Sequence, residues 1–119
     1  MNKKVDILIV HGGGKEILVN CLRSIEKNTK RVNIYVLLNN IKDKNELSIK
    51  KEFRNVKFFE SEKNLGFAGA VNLLINKSKS DYVVLLNNDT LVERNWLDEM
   101  IKTLEKHPLC IACQPKIKS

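Results

Sequence analysis

The sequence predicts an α/β fold built on a parallel sheet, and three observations support this prediction. The chain has 119 residues, which corresponds to one domain. Short apolar runs alternate along it with segments whose apolar residues recur at helical spacing. The apolar runs show little polar alternation, which is typical of strands buried on both faces of a parallel sheet. Consecutive strands of this kind are connected by right-handed crossovers through the intervening helices.

Three strands and one clear helix are predicted in the first half of the chain. The apolar runs Val5–Val10 and Val32–Leu38 predict the first two strands, and Val56–Glu60 predicts the third. Apolar residues at helical spacing between the first two strands predict a helix over Glu16–Asn28. The polar, lysine-rich stretch Ile41–Arg54 has weakly spaced apolar residues, so we expect a loop with a short helix there.

The second half of the chain continues the alternation. A helix is predicted over Gly66–Ser78, followed by a fourth strand over Tyr82–Leu86. Apolar residues that begin at Trp96 and recur at helical spacing mark a last helix, which we expect to end before Pro108. The apolar run Leu109–Cys113 then predicts a final short strand. Neither a linker nor a repeat interrupts this pattern, so residues 1–119 are expected to form a single domain.

The composition excludes several classes of protein. Hydrophobic residues make up 43% and charged residues 29% of the chain, as in an ordinary globular domain and unlike a disordered or fibrous one. The apolar stretches are far shorter than the roughly 18 residues of a membrane span, and the N-terminal residues lack the pattern of a signal peptide. Three cysteines are too few for a secreted disulfide framework. We therefore expect a soluble, cytoplasmic protein.

The net charge of +7 is large enough to attract an anionic partner, such as nucleic acid, a membrane surface or a phosphorylated small molecule. The basic residues, however, are scattered among acidic ones, without an arginine-rich or aromatic-interleaved stretch. This distribution favours a solvated surface, and no nucleic-acid partner is expected.

Polar turns follow three of the predicted strands, and parallel sheets bind their ligands at this edge. The first turn is the glycine run His11–Gly14. It is not a dinucleotide-binding fingerprint, because the sixth position is Ile17, and it is not a phosphate-binding P-loop, because Lys15 is followed by Glu16. A glycine-rich turn still exposes backbone N–H groups to an approaching ligand. The pattern alone is equally consistent with a ligand contact and with a flexible turn.

Asparagines dominate the other two turns. Asn39 and Asn40 follow the second strand, where their amides suit the edge of a nucleobase but are equally good at ending a strand. Asp89 follows the fourth strand, within the polar sequence Asn87–Thr90. A carboxylate at this position suits a hard cation such as Mg²⁺ or Mn²⁺ that also binds ligand phosphates. The alternative is that Asp89 or Thr90 caps a following turn.

A second group of metal-ligand residue types lies near the C-terminus. His107, Cys110 and Cys113 resemble half of a zinc site. Apolar residues alternate with the two cysteines, as in a buried strand, where a free cysteine behaves as a small hydrophobic residue. We therefore assign no metal or redox chemistry to this group.

Two stretches resemble family 2 glycosyltransferases. The stretch Asn64–Asn72 (NLGFAGAVN) is similar to the Asn-x-Gly-Phe-Ala-x-Ala-x-Asn segment of that family. The stretch Tyr82–Thr90 (YVVLLNNDT) is similar to the family's fourth strand and its Asp-x-Asp-type motif, in the Asn-x-Asp-Thr form of rhamnosyltransferase-like members. The opening strand and the segment Gln114–Ile117 fit the same register. The resemblance covers essentially the whole chain.

The resemblance implies a Rossmann-like three-layer sandwich of the GT-A, nucleotide-diphosphosugar transferase type. It implies that Asp89 holds Mg²⁺ or Mn²⁺ between the two phosphates of the donor, with Asn87 and Asn88 lining the ribose and the metal. The remaining positions that it implies are His11 and Gly12 against the nucleotide, Asn39 and Asn40 at the base, and Gly66, Phe67 and Asn72 on the donor side of the following turn and helix.

This chain departs from the family pattern at two strand ends. The family's first strand usually ends in Tyr-Asn, where this chain has His11 and Gly12, and its second usually ends in Asp-Asn, where this chain has Asn39 and Asn40. Family members also continue into a second half that supplies the acceptor site and the catalytic base, whereas this sequence stops at Ser119. From the resemblance we expect a truncated GT-A fold that lacks that half.

The resemblance leaves two functions open. The first is transfer of a sugar from a nucleotide-diphosphate donor to a glycan or lipid-linked acceptor in cell-surface polysaccharide synthesis, at the inner face of the membrane. The second is a catalytically incomplete donor-binding or scaffold half-domain, which needs an oligomeric contact or a partner subunit for turnover.

Overall fold

The computed structural model describes residues 4–106, apart from the side chains of Leu104 and Lys106. It contains four strands and five helices within those residues. Their bounds are β1 Val5–His11, α1 Lys15–Asn28, β2 Val32–Asn39, α2 Lys44–Leu47, α3 Ile49–Glu52, β3 Lys57–Ser61, α4 Gly66–Lys77, β4 Tyr82–Asn87 and α5 Trp96–Lys106. The predicted strand Leu109–Cys113 and the group of His107 with its two cysteines lie outside the described residues.

The four strands form one parallel sheet in the order β3-β2-β1-β4. The chain builds outward from β1 through β2 to β3 and then returns to add β4 on the other side of β1. The strand order therefore reverses between β1 and β4, and the carboxyl ends of strands at such a reversal are where parallel α/β sheets bind their ligands. The predicted α/β fold with a parallel sheet is confirmed.

Helices cover both faces of this sheet, as in a three-layer sandwich. On one face, Ile7 and Ile9 of β1 pack in a core that includes residues of α1, α3 and α5. On the other face, Leu8 packs with two residues of β2 and with Ala70 and Leu74 of α4. Successive residues of β1 are therefore buried on opposite faces, which explains its almost wholly apolar sequence.

The strand β4 is more exposed than its apolar sequence suggests. Val83 and Leu85 are 40% and 45% exposed. They lie on the same face as Leu8, since Leu8 and Leu85 are paired in the β1–β4 register. The helix on that face, α4, packs over β1 and β2. The outer side chains of β4 consequently lie beyond the cover that α4 provides.

The lysine-rich connection between β2 and β3 forms two short helices, where one was expected. Asp43 caps the first of them, because its carboxylate accepts hydrogen bonds from the amides of Asn45 and Glu46. Ile49 and Phe53 attach the second to the core. No helix within residues 4–106 combines the length and apolar composition that a membrane crossing requires.

A buried carboxylate organises the amino-terminal edge of the sheet. Asp6 of β1 is 0% exposed. It accepts hydrogen bonds from Ser78 Oγ at 2.5 Å, Ser80 Oγ at 2.6 Å, Asn33 Nδ2 at 3.0 Å and the Lys79 amide at 3.4 Å. These donors fix the α4–β4 connection and the start of β2 to the central strand. These four hydrogen bonds offset the cost of removing the carboxylate from water.

Candidate functional site

The polar turn after β4 lies at the carboxyl edge of the sheet, next to the end of β1. Asn87 ends the strand, and its carbonyl accepts a hydrogen bond from the Thr90 amide at 3.1 Å, which closes the turn. Asn87 and Asp89 are exposed, Asn88 is half-buried and Thr90 is buried. The turn therefore presents one carboxylate and one amide fully to solvent.

Hydrogen bonds to residues of α1 hold this turn in place. The thiol of Cys21 donates to the Asn87 carbonyl at 3.8 Å. Ser24 Oγ accepts from the Val92 amide at 3.1 Å, and Asn28 Nδ2 donates to the Val92 carbonyl at 3.0 Å. The chain is thus fixed to the same helix on both sides of Asp89, which limits the movement of its carboxylate.

The charge of Asp89 also acts on the residue beneath it. Burial, and then the negative charge of Asp89, raise the pKa of the Cys21 thiol to about 12. Cys21 therefore stays a neutral, buried thiol and packs as a small apolar residue. Within the turn Asn87–Thr90, the negative charge comes from the Asp89 carboxylate. Residues 4–106 contain no group of three or more His, Cys, Asp or Glu residues that could surround a metal ion. A single carboxylate with neighbouring amides suits Mg²⁺ or Mn²⁺, which take one or two protein carboxylates and complete their shell with phosphate oxygens and water.

The side chain of His11 points into the protein rather than out to solvent. It is 1% exposed. Its Nδ1 lies 3.0 Å from Asn88 Nδ2, and its Nε2 lies 3.7 Å from Glu46 Oε2. Burial lowers the pKa of His11 below its ordinary value, and the charge of Glu46 offsets only part of that effect. The ring is therefore neutral near pH 7.

The carboxylate of Glu46, in α2, accepts hydrogen bonds from backbone amides at the end of the glycine run. Its Oε1 accepts hydrogen bonds from the amides of Gly14 at 3.2 Å and Lys15 at 3.1 Å, where α1 begins. A carboxylate at a helix N-terminus is favourable because it meets unpaired N–H groups and the positive end of the helix dipole. Gly12, in contrast, faces open space. Within the glycine run, the part left open to a ligand therefore begins at Gly12.

The two asparagines at the end of β2 have different surroundings. The side chain of Asn39 is hydrogen-bonded within the protein. Its Oδ1 accepts from the Leu65 amide at 3.0 Å and from Ser61 Oγ at 2.9 Å. Its Nδ2 donates to Asn64 Oδ1 at 3.0 Å. Asn40 is exposed and adopts a left-handed φ of 57°. Its side chain makes no hydrogen bond to the rest of residues 4–106. Of the pair, Asn40 has the amide that is free to meet a ligand.

Because Asn39 makes three side-chain hydrogen bonds and Asn40 makes none within residues 4–106, the two residues are expected to contribute differently to stability. Asn39→Ala removes three hydrogen bonds that join β2 to β3 and to the start of α4, so we expect it to lower the free energy of unfolding by about 1–2 kcal/mol. Asn40→Gly is the matched control, because glycine accepts the left-handed conformation and only the exposed amide is lost. Urea denaturation of both variants measures the difference. Equal losses in the two variants would contradict the assignment.

The start of α4 is joined to Asn39 through Asn64. Asn64 Oδ1 accepts from the Gly66 amide at 2.9 Å, and Gly66 has a positive φ of 70° that glycine adopts without strain. Phe67 follows and is 64% exposed, and Asn72, five residues further along the helix, is also exposed. The asparagine motif therefore shapes the entry to the helix and leaves an aromatic ring and an amide at its surface.

The sequence indicates these positions but not the side chains that connect them. His11 and Asn88 are in contact, and Asn39 contacts Asn64 at the entry to α4, but no hydrogen bond links these two groups within the described part of the chain. The signal for Glu46 in the sequence is its capping-box spacing from Asp43, which marks the start of a helix. A separate cavity of about 500 Å³ lies at the opposite edge of the sheet, between the C-terminus of α1 and the start of α5. Its lining includes four basic side chains and Asp98, and none of the residues of the polar turns.

Comparison with known proteins identifies the fold and the family. A model of the family described as "Glycosyl transferase family 2" matches residues 7–119. The mannosyltransferase PcManGT from Pyrobaculum calidifontis, solved in complex with GDP-Man and Mn²⁺, is similar with a TM-score of 0.79 and 16% identity, over 87% of this chain and 33% of that one. S. aureus TarS is similar as residues 1–349, with a TM-score of 0.73 and 17% identity, over 88% of this chain and 33% of that one.

A longer structure of S. aureus TarS gives a TM-score of 0.74 and 17% identity, over 88% of this chain and 20% of that one. The chain thus spans about one third or less of the length of these solved relatives. No curated protein matches the sequence. At these identities the structural likeness establishes the fold, and the match to the family model establishes the family.

Proposed function

The chain belongs to glycosyltransferase family 2 and has the GT-A fold, and on this premise we propose that it binds a nucleotide-diphosphate sugar through a divalent cation held by Asp89. The observation that carries the proposal is the position of Asp89. It is an exposed carboxylate on a fixed turn, at the carboxyl edge of the sheet where the strand order reverses between β1 and β4. Parallel α/β sheets bind nucleotides at such a reversal. The similar mannosyltransferase was solved with GDP-Man and Mn²⁺, which supports the same ligand chemistry here.

The surrounding residues fit this ligand. Asp89 would hold Mg²⁺ or Mn²⁺, and the ion would neutralise the charge of the diphosphate. Asn87 and Asn88 supply amides beside it, suited to the ribose hydroxyls. Asn40 presents a free amide for the base, and the open space at Gly12 allows the nucleotide to approach the backbone.

Transfer of the sugar is a proposal for the whole protein. Glycosyl transfer needs a base within hydrogen-bond reach of the acceptor hydroxyl, and this chain spans about one third of the length of its solved relatives. We propose donor binding for the residues described here. The glycan or lipid-linked acceptor, a role in cell-surface polysaccharide synthesis and a cytoplasmic location at the inner face of the membrane belong to the same proposal. A donor-binding or scaffold half-domain that acts with a partner is the second candidate, because no acceptor-side residue is identified in residues 4–106.

A thermal-shift titration with GDP, UDP and dTDP, each with and without Mn²⁺, tests donor binding. A ligand at 100 times its Kd stabilises the folded state by about 2.7 kcal/mol, which for a domain of this size raises Tm by roughly 10 °C. We expect this shift only with Mn²⁺ and with one preferred nucleotide, and not with the corresponding nucleoside, which lacks the diphosphate. A chain that shows no shift with any nucleotide would overturn the proposal.

The same samples separate the two candidate functions. Release of free nucleotide from the preferred nucleotide sugar in the presence of Mn²⁺ would favour sugar transfer, because it shows that the chain cleaves the bond between the sugar and the diphosphate. Metal-dependent binding without turnover would favour the half-domain.

A further inference from the structure

The imidazole of His11 connects three segments at the carboxyl edge of the sheet. It ends β1, its Nδ1 meets Asn88 in the turn after β4, and its Nε2 faces Glu46 of α2. The other oxygen of Glu46 accepts from the Gly14 and Lys15 amides at the start of α1. His11 Nε2 and Glu46 Oε2 are buried and make no hydrogen bond in the described residues. Donor binding through Asp89, as proposed above, does not depend on this connection.

The surroundings of the ring determine where its proton lies. A neutral imidazole carries one N–H, and its other nitrogen is an acceptor. The carboxylate of Glu46 lies 3.7 Å from Nε2, so a proton on Nε2 meets a negative charge, whereas a lone pair there would be repelled. Nδ1 is therefore the acceptor.

An acceptor at Nδ1 fixes the orientation of the Asn88 amide. The group of Asn88 that faces Nδ1 must be its NH₂, because its carbonyl oxygen would place one lone pair against another. Oδ1 consequently points away from the ring, and it accepts no hydrogen bond from residues 4–106. Asn88 is half-buried and directly precedes the exposed Asp89. Since His11 is almost fully buried, water cannot readily take the place of its ring.

We propose that His11 is a positioning residue, which holds Asn88 so that its carbonyl oxygen is presented beside Asp89 as an acceptor for the donor complex. This inference rests on the proposed donor binding. The oxygen suits either the divalent cation itself or a hydroxyl of the nucleotide, since both seek an oxygen acceptor. Glu46 contributes by holding the ring in the tautomer that this arrangement requires.

Two substitutions of similar size test the inference. His11→Asn retains an oxygen near the position of Nδ1, whereas His11→Leu removes every acceptor, and both lose the ring and its contact with Glu46. We expect His11→Leu to weaken ligand binding about three- to tenfold relative to His11→Asn, the effect of one hydrogen bond. Circular dichroism and thermal melts of the two variants identify any difference in folding.

Two binding measurements locate the ligand group that the oxygen meets. Electron paramagnetic resonance measures the affinity for Mn²⁺ alone, and calorimetry measures the affinity for GDP, or the preferred nucleotide, with Mn²⁺ present. Loss in both measurements assigns the oxygen to the cation, and loss only with the nucleotide assigns it to a hydroxyl. The same substitutions made in an Asn88→Ala chain should have no further effect, because the residue through which His11 acts is gone.

The tautomer is read directly in the unliganded chain. Long-range ¹H–¹⁵N correlation spectra should show a protonated Nε2 and an unprotonated Nδ1 for His11. A protonated Nδ1, equal binding by the Leu and Asn variants, or an undiminished effect of His11→Leu in the Asn88→Ala chain would each overturn the inference while the donor-binding proposal stands. Wild-type protein that binds neither Mn²⁺ nor nucleotide overturns both.

Discussion

Asp89→Asn is expected to weaken Mn²⁺-dependent nucleotide binding by roughly 100-fold or more, because a neutral amide is a much poorer ligand than a carboxylate for a hard cation. The substitution preserves the size of the side chain, and Asp89 is exposed, so the fold should be retained. Calorimetric titration with the preferred nucleotide, with and without Mn²⁺, measures the loss. Any residual metal-independent affinity should be the same in wild type and variant.

The matched control for this prediction is Asp81→Asn. Asp81 is an exposed aspartate next to the opposite end of the same strand, where it accepts a hydrogen bond from the Lys4 amide at 3.3 Å. The Asp81→Asn substitution changes the net charge of the protein by the same amount as Asp89→Asn. Asp81, however, lies at the amino-terminal edge of the sheet. If the two variants lose affinity equally, the loss reflects overall charge, and Asp89 is not the metal ligand.

The second large effect is expected at Asp6, on the stability of the fold. Asp6→Ala removes the acceptor that is shared by donors of Ser78, Ser80, Asn33 and Lys79. A hydrogen bond to a charged group contributes about 1.5–3 kcal/mol. Because the four donor residues are half-buried or exposed and can partly turn to solvent, we expect a total loss of about 3 kcal/mol, which lowers Tm by about 10 °C. Glu26→Gln, on the exposed surface of α1, should change stability by less than about 0.5 kcal/mol.

The same carboxylate makes stability depend on pH in a defined direction. Burial alone would raise the pKa of Asp6, but hydrogen bonds from Ser78, Ser80, Asn33 and the Lys79 amide outweigh it and hold the pKa below its usual value. The unfolded chain therefore takes up this proton first, at a pKa of about 3.9. The stability that Asp6 contributes is present above that pH and is lost as the pH falls through the lower pKa of the folded state.

Denaturation of wild type and Asp6→Asn from pH 6 downward measures this contribution. The advantage of the wild type should be constant near neutrality and should narrow below about pH 4. An advantage that widens as the solution becomes more acidic would show that the pKa of Asp6 is raised in the folded state.

The sequence was sufficient to predict the fold, because each strand is a short apolar run that ends at a polar turn. It also located the turns that carry Asn40 and Asp89, since ligands of parallel sheets lie beyond the carboxyl ends of the strands. The two helices between β2 and β3 were predicted less well. Their apolar residues are few, and Asp43 defines the first helix through a cap rather than through hydrophobic periodicity.

The interior of the site could not be predicted from local patterns. Glu46 meets the amides of Gly14 and Lys15 across more than 30 positions of sequence, and no spacing rule connects such segments. Asn39 and Asn40 are identical in type, and only the strand register and the left-handed turn decide which of them faces the protein. The exposed side of β4 likewise depends on where α4 lies, which its own apolar sequence does not show.

The position of β4 beside β1 has a consequence for the order in which the protein folds. The β1–β2 pair joins residues 27 apart, such as Asp6 and Asn33, whereas the β1–β4 pair joins Asp6 to Val83 across 77 positions. Closing the longer loop costs about 0.9 kcal/mol more chain entropy, and pairs distant in sequence form more slowly. During synthesis β1, β2 and β3 are complete before Tyr82 leaves the ribosome, so these three strands are available to pair before β4 is. The carboxylate of Asp89 reaches its place only when β4 docks beside β1, and ligand binding therefore reports that docking.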